Sequence, residues 1–173
     1  MNATAKIGVI SGPDSAAAQA AIAAAVGEWR AKGTRVAGVL SEEHGLPGRS
    51  CGAGYLRDIA SGERFAIYRD VPAEGSACHI DAEGVEAACA ALIRQIAASD
   101  LVVLNKFGKL EAMHQGLWRA LEMAVTTGKP SLLALSEKHA DAFRAVAPDA
   151  AWLPPERAAL DRWWETTQAG TDI

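Results

Sequence analysis

Asp100-Leu101-Val102-Val103-Leu104-Asn105-Lys106-Phe107-Gly108-Lys109-Leu110-Glu111 decides how the rest of the chain is read. Residues 101–104 form a continuous apolar run, too short for a helix and without the alternation of a half-buried strand. Such a run predicts a strand buried on both faces, as in a parallel sheet. Polar residues then arrive abruptly at Asn105, Lys106, Lys109 and Glu111, with Gly108 among them. A buried strand that ends this way delivers polar side chains to the edge of a sheet, where open α/β folds bind ligands.

Outward from this stretch, residues 6–11 are a β-branched run stopped by Gly12-Pro13 and predict a first strand. An alanine-rich helix follows over 14–32, with Ile22, Val26 and Trp29 at helical spacing and Gly33 as its C-terminal cap. A second strand is predicted at 35–40, then a Gly/Pro loop over 41–50. Residues 54–59 and 64–69 flank Ser61-Gly62 as a hairpin. Asp81 caps a helix that reaches Ser99 and sets Val85, Cys89, Leu92 and Ile96 on one face.

Past the opening stretch, a helix is predicted over 112–127, closed by Gly128, and then a buried strand at 131–135. Ser136 caps a short helix to Val146, a strand follows at 151–153, and Pro154-Pro155 opens a last helix through Trp164. Residues 169–173 are expected to fray. Strands alternating with helices imply an α/β fold: a mostly parallel sheet covered on both faces, with the hairpin as an antiparallel edge. One domain over 1–173 accounts for the length.

A formal charge of −4 disfavours a nucleic-acid partner or an acidic membrane surface, both of which need a dense basic face. Three irregularly spaced cysteines fit a reduced protein better than a disulfide framework. With no basic-then-apolar leader and no apolar stretch of spanning length, the expectation is a cytoplasmic protein without membrane contact.

The order of motifs now carries a resemblance. A strand, Gly-Pro turn and helix precede Lys32-Gly33-Thr34-Arg35-Val36-Ala37-Gly38-Val39. An arginine-containing loop, a hairpin with Ser61-Gly62-Glu63-Arg64 and Asn105-Lys106-Phe107-Gly108-Lys109-Leu110-Glu111 follow. Over residues 5–135 this resembles the small nucleoside-triphosphatase family known from thermophiles and vertebrates. It is also similar to an uncharacterised bacterial family of that kin. Members of the latter carry Asn-Arg/Lys-Phe-Gly-Lys-x-Glu and a Cys-x-x-Asp segment like Cys78-His79-Ile80-Asp81, and some sit in molybdate-uptake or nitrogen-fixation contexts. The resemblance implies a three-layer α/β/α fold of the phosphate-loop (P-loop) NTPase kind.

The chain departs from that family where the chemistry sits. A working phosphate loop reads G-x-x-x-x-G-K-[ST], its amides cradling phosphates, its Lys neutralising charge and its Ser/Thr holding Mg²⁺. Registered on Gly12, the last three positions fall on Ala17, Ala18 and Gln19. Gly12, Asp14 and Ser15 still lie where a helix N-terminus offers N–H groups to an anion. Asp14 or Ser15 would equally cap that end, and the Asp14 carboxylate repels phosphate. The family's Asp-Glu pair, which orders Mg²⁺ and water, is Asn105-Lys106 here, so two negative charges become one positive charge. Mg²⁺ is thereby disfavoured. Three outcomes stay open: Lys106 pairs with Asp14 and closes the old site, Lys106 and Lys109 hold an anion without metal, or the loop is solvated.

Lys109 and Glu111 match the family motif unchanged. If hydrolysis survives, they are its replacement residues, with Lys109 on phosphates and Glu111 on water; alternatively Glu111 caps the next helix. Gly108 is expected to supply a backbone angle that other residues resist. Arg49 either reaches an anion or is solvated. Cys51, Cys78 and His79 could make a soft metal site if their loops meet, although no C-x-x-C spacing supports it. His44, His114 and His139 are read as surface. Trp29 and Trp118 are read as packing, and Trp152, Trp163 and Trp164 either cover the sheet or form a homodimer contact.

The function these residues suggest is a non-hydrolytic ligand-binding or regulatory domain, taking a small anion, a nucleotide or a partner protein at the strand ends. The alternatives are an accessory role in molybdate or other metal-oxyanion handling, and a surviving triphosphatase.

Overall fold

The computed structural model describes residues 6–13, 15–47, 53–68 and 80–170. Among these, seven strands form one sheet: β1 (Ile7–Gly12), β2 (Val36–Glu43), β3 (Ala53–Asp58), β4 (Arg64–Ala66), β5 (Leu101–Phe107), β6 (Ser131–Ser136) and β7 (Ala151–Leu153). Their order is β4-β3-β2-β5-β6-β1-β7. The five strands from β2 to β7 in that order run parallel, and β3 and β4 add an antiparallel edge.

Helices cover both faces, as parallel strands require. Against one face lie α1 (Ser15–Ala31) and α6 (Arg157–Ala169), which bury Ile22, Val26, Trp29, Leu160 and Trp164 with Ile10, Leu101 and Val103. Against the other lie α2 (Ala82–Ile96), α4 (Trp118–Thr126) and α5 (Ala140–Val146). They bury Leu92, Leu121 and Phe143 with Val9, Leu104 and Phe107. The fold is therefore a three-layer α/β/α sandwich, consistent with that of P-loop NTPases.

This layering positions the site. The chain leaving β1 turns onto the α1 face, whereas the chains leaving β5 and β6 turn onto the opposite face. The crevice between those departures opens at the carboxyl ends of β1, β5 and β6.

Several boundaries depart from expectation. β2 continues through Glu43 because it pairs with β3 beyond the point where β5 leaves it, so residues 41–43 are strand and not loop. β5 continues through Phe107, carrying Asn105 and Lys106 inside the strand. The helix expected over 112–127 is broken into α3 (Lys109–Ala112) and α4. His114 and Gly116 interrupt it with φ of 58° and 62°. Ser136 makes no side-chain cap; a short 3₁₀ turn, Glu137–His139, leads into α5. The last helix starts after Glu156 and extends to Ala169, so Pro154 and Pro155 precede it and Ala169 is helical.

The tryptophans settle into the core. Trp29 and Trp164 stack at 5.5 Å, and the Trp29 Nε1–H donates to Asp161 at 2.9 Å. Trp163 lies on Gly8, where an added Cβ would come within 2.8 Å of the indole. Trp163 and Trp164 are only 6% and 8% exposed, so of the two readings they take the one in which they cover the sheet. Trp152 is half-buried between Phe143 and the guanidinium of Arg144.

Candidate functional site

Sheet register builds the site from its floor. Leu104 pairs with Leu133, but Lys106 pairs with the next residue, Ala134, so Asn105 is the extra residue of a β-bulge. Leu104 and Phe107 both pack into the same core layer, and Lys106 lies on that layer too, lining a small cleft with Glu111, Leu117, Leu121 and Leu133. Bulges commonly re-aim side chains beside functional sites.

Asn105 is tied to its neighbours by neutral hydrogen bonds. The Ser41 backbone N–H donates to Asn105 Oδ1 at 3.0 Å. The Ser41 hydroxyl donates to Oε1 of Gln19, one turn into α1. In the phosphate-loop register, Gln19 stands at the Mg²⁺-holding Ser/Thr and Asn105 at the Mg²⁺-ordering Asp. Ser41 thus bridges the Gln19 and Asn105 amides across α1, β2 and β5. Amide oxygens already engaged by donors, next to a lysine, do not suit Mg²⁺, which demands octahedral oxygen ligands and carboxylate charge.

β1 ends at Gly12 and α1 begins at Ser15. Ala18, at the lysine position, is 2% exposed and packs in the α1 core layer. Gly12 pairs with Ser136 and has open space where a Cβ would stand.

Cations gather at the same edge. Lys106 is half-buried and, among the described residues, has neither hydrogen-bond nor ion-pair partner. His139, also half-buried rather than fully surface-exposed, sits at the end of β6. Burial first, then Lys138 and Lys106, hold its pKa below the ordinary histidine value. Lys109 begins α3 and is exposed.

Glu111 has a different setting. It is 7% exposed, with Oε2 accepting the Gly108 N–H at 2.9 Å and Oε1 accepting the Leu117 N–H at 3.0 Å. One carboxylate thus caps α3 and anchors the start of α4. Burial pushes its pKa up, the two N–H donors oppose that shift, and nearby Glu86 adds to it. Glu86 itself accepts the Gly116 N–H at 2.8 Å. Gly108 has an extended φ of −128°, so the expectation of a special backbone angle there fails. That requirement belongs to Gly116, whose φ is 62° and whose added Cβ would meet Glu111 Oε1 at 2.6 Å.

Asp14, Arg49, Cys51, Cys78 and His79 lie outside the described residues. The structure thus links Asn105 through Ser41 to Gln19 of α1, and makes Glu111 a capping group. Gln19 and Ser41 are members that the sequence did not mark as a pair. No local pattern signals them: residues 41–43 are Ser-Glu-Glu, and β2 continues there only through its pairing with β3.

Fold and site define an α/β domain of the P-loop NTPase kind whose strand ends carry amides and lysines. A family described as a protein of unknown function (DUF2478) matches residues 7–163, and the chain belongs to that family. The chain is also 31% identical over 140 residues to the molybdenum import ATP-binding protein ModC 2 of Bradyrhizobium diazoefficiens. That match covers 79% of this chain and 16% of the relative, so the chain corresponds to a minor part of a much longer protein. Among the described residues, no helix is long and apolar enough to cross a membrane.

Proposed function

We propose that this chain is a non-hydrolytic ligand-binding or regulatory domain that holds an anion at the carboxyl ends of β1, β5 and β6 without a divalent metal. One observation carries the reading: Ser41 bridges Gln19 and Asn105, the two positions where a triphosphatase of this architecture would hold Mg²⁺. Beside this neutral bridge, Lys106 supplies charge that no described carboxylate neutralises. The alternative in which Glu111 activates water is weakened by geometry, since both of its oxygens accept backbone N–H groups in a buried setting.

The test combines ligand-dependent melting with phosphate release. A ligand that binds only the folded state raises its stability. The expected result is stabilisation by an oxyanion or a nucleotide, with no phosphate released from ATP or GTP in Mg²⁺. Mg²⁺-dependent release that is lost in Lys109→Ala would overturn the proposal in favour of a surviving triphosphatase.

A second reading has its own support. The Bradyrhizobium relative is a molybdenum import ATP-binding protein, which favours an accessory role in molybdate handling. Stabilisation by molybdate and tungstate, but not by nucleotides, is the expected signature of that role. Stabilisation by nucleotides alone would contradict it.

A further inference from the structure

The opposite edge of the sheet carries a cleft of its own. β7 is the outermost strand on that side. Its side chains alternate: Trp152 turns to the layer of Phe143, whereas Ala151 and Leu153 turn to the layer of α6. On that second layer the Trp163 indole rests on Gly8 of β1, one strand inward. Between α6 and the outer strand a cleft of about 360 Å³ stays open, walled by Ala151, Leu153, Pro154, Ala159 and the Trp163 indole. Its size and mainly apolar walls are those of a site for a small organic molecule.

Two donors at this cleft lack acceptors. The Nε1–H of Trp163 is buried and has no hydrogen-bond partner. Buried polar groups are nearly always paired, so one that is not marks a place where an acceptor is missing. Arg162, at the rim, is exposed and forms no ion pair among the described residues. The other arginine of α6 shows the contrast, for Arg157 holds both Asp161 and Glu28. The two threonines that line the cleft have committed their hydroxyl protons, Thr166 to the Arg162 carbonyl and Thr167 to the Trp164 carbonyl.

We infer that the cleft between β7 and α6 binds a small apolar carboxylate. Its hydrocarbon part lies against Leu153, Pro154 and the indole, and its carboxylate sits between the Arg162 guanidinium and the Trp163 N–H. The N–H is sealed from water, so the carboxylate reaches it only as the exposed Arg162 side chain rearranges around the ligand. The walls and donors select this class together. A bare oxyanion brings no apolar surface to cover Leu153 and Pro154. A neutral hydrocarbon leaves the guanidinium and the N–H as they were. A carboxylate offers two oxygens, which suits the fork of a guanidinium and leaves lone pairs for a further donor. This site shares no residue with the one at the ends of β1, β5 and β6, so the two stand or fall separately.

The test is calorimetric titration of the full chain with phenylacetate, phenylethanol and acetate, which divide the apolar body from the charge. Phenylacetate is expected to bind roughly tenfold tighter than either of the others. Proton–nitrogen correlation NMR should show one indole N–H signal, absent in Trp163→Phe, moving downfield as phenylacetate is added. Arg162→Met, a change at an exposed position, is expected to weaken phenylacetate roughly tenfold and to erase its preference over phenylethanol. Phenylethanol or acetate binding as tightly as phenylacetate would overturn the inference, and so would an unmoved indole signal or an unchanged affinity in Arg162→Met. Should Trp163→Phe not fold, the calorimetric comparison and the Arg162 variant decide alone.

Discussion

The two ends of one short motif, Asn105 and Glu111, do opposite work although six positions separate them. Glu111 has used both carboxylate oxygens on backbone N–H groups that would otherwise be buried without acceptors. Asn105 has used only its oxygen, on the Ser41 N–H, and keeps its NH₂ group. One end is closed upon the protein; the other keeps donors beside a lysine. A short motif can therefore divide into a half turned onto the backbone and a half that keeps free donors.

The comparison breaks most visibly at the closed end. Glu111→Ala leaves the N–H groups of Gly108 and Leu117 without their acceptor and is expected to cost about 2–4 kcal/mol in denaturant unfolding. A loss below about 0.5 kcal/mol, the range of an ordinary surface change, would mean that Glu111 is not structural. Gly116→Ala strikes the same carboxylate from the other side. Its left-handed backbone and the approach to Oε1 predict a loss of about 1–3 kcal/mol, read by the same unfolding measurement.

At the open end the effect moves from stability to binding. Lys106→Met is expected to alter stability by less than about 0.5 kcal/mol, while anion affinity falls on the order of tenfold, measured by calorimetry. Substantial unfolding of this variant would mean that Lys106 is a packing residue and that the two ends are alike. The smallest effect concerns His139. Its folded pKa lies below its unfolded value, so as pH falls through about 6.5 the unfolded chain takes up the proton first and stability declines. An anion beside Lys106 offsets the repulsion that His139 meets on protonation. The stabilisation by sulfate should therefore grow as the solution is acidified across that window, and His139→Gln should flatten the dependence.

The buried frame of this molecule was legible in the sequence, and the site was not. Residues 101–104 announce a buried parallel strand because nothing but a continuous apolar run satisfies both faces of a covered sheet. Ile22, Val26 and Trp29 announce α1 by period, and Asp81 announces α2 by its capping chemistry, its side chain accepting the Glu83 N–H at 3.0 Å. The bulge at Asn105 escapes notice because polar residues break the apolar pattern while the strand continues beneath them. Ser41 escapes because only tertiary pairing carries it to Asn105, far away along the chain. The break between α3 and α4 escapes because His114, unlike glycine, gives no compositional sign of a left-handed backbone. Solvent-facing polar atoms are assigned by their partners in space, which no local pattern records.

The most direct test of a metal-free anion site is a titration of the full chain with molybdate or sulfate, run once in chelator and once in excess Mg²⁺. On the proposed metal-free reading, the expected affinities agree in the two conditions. Anion binding that appears only when Mg²⁺ is present would contradict the account.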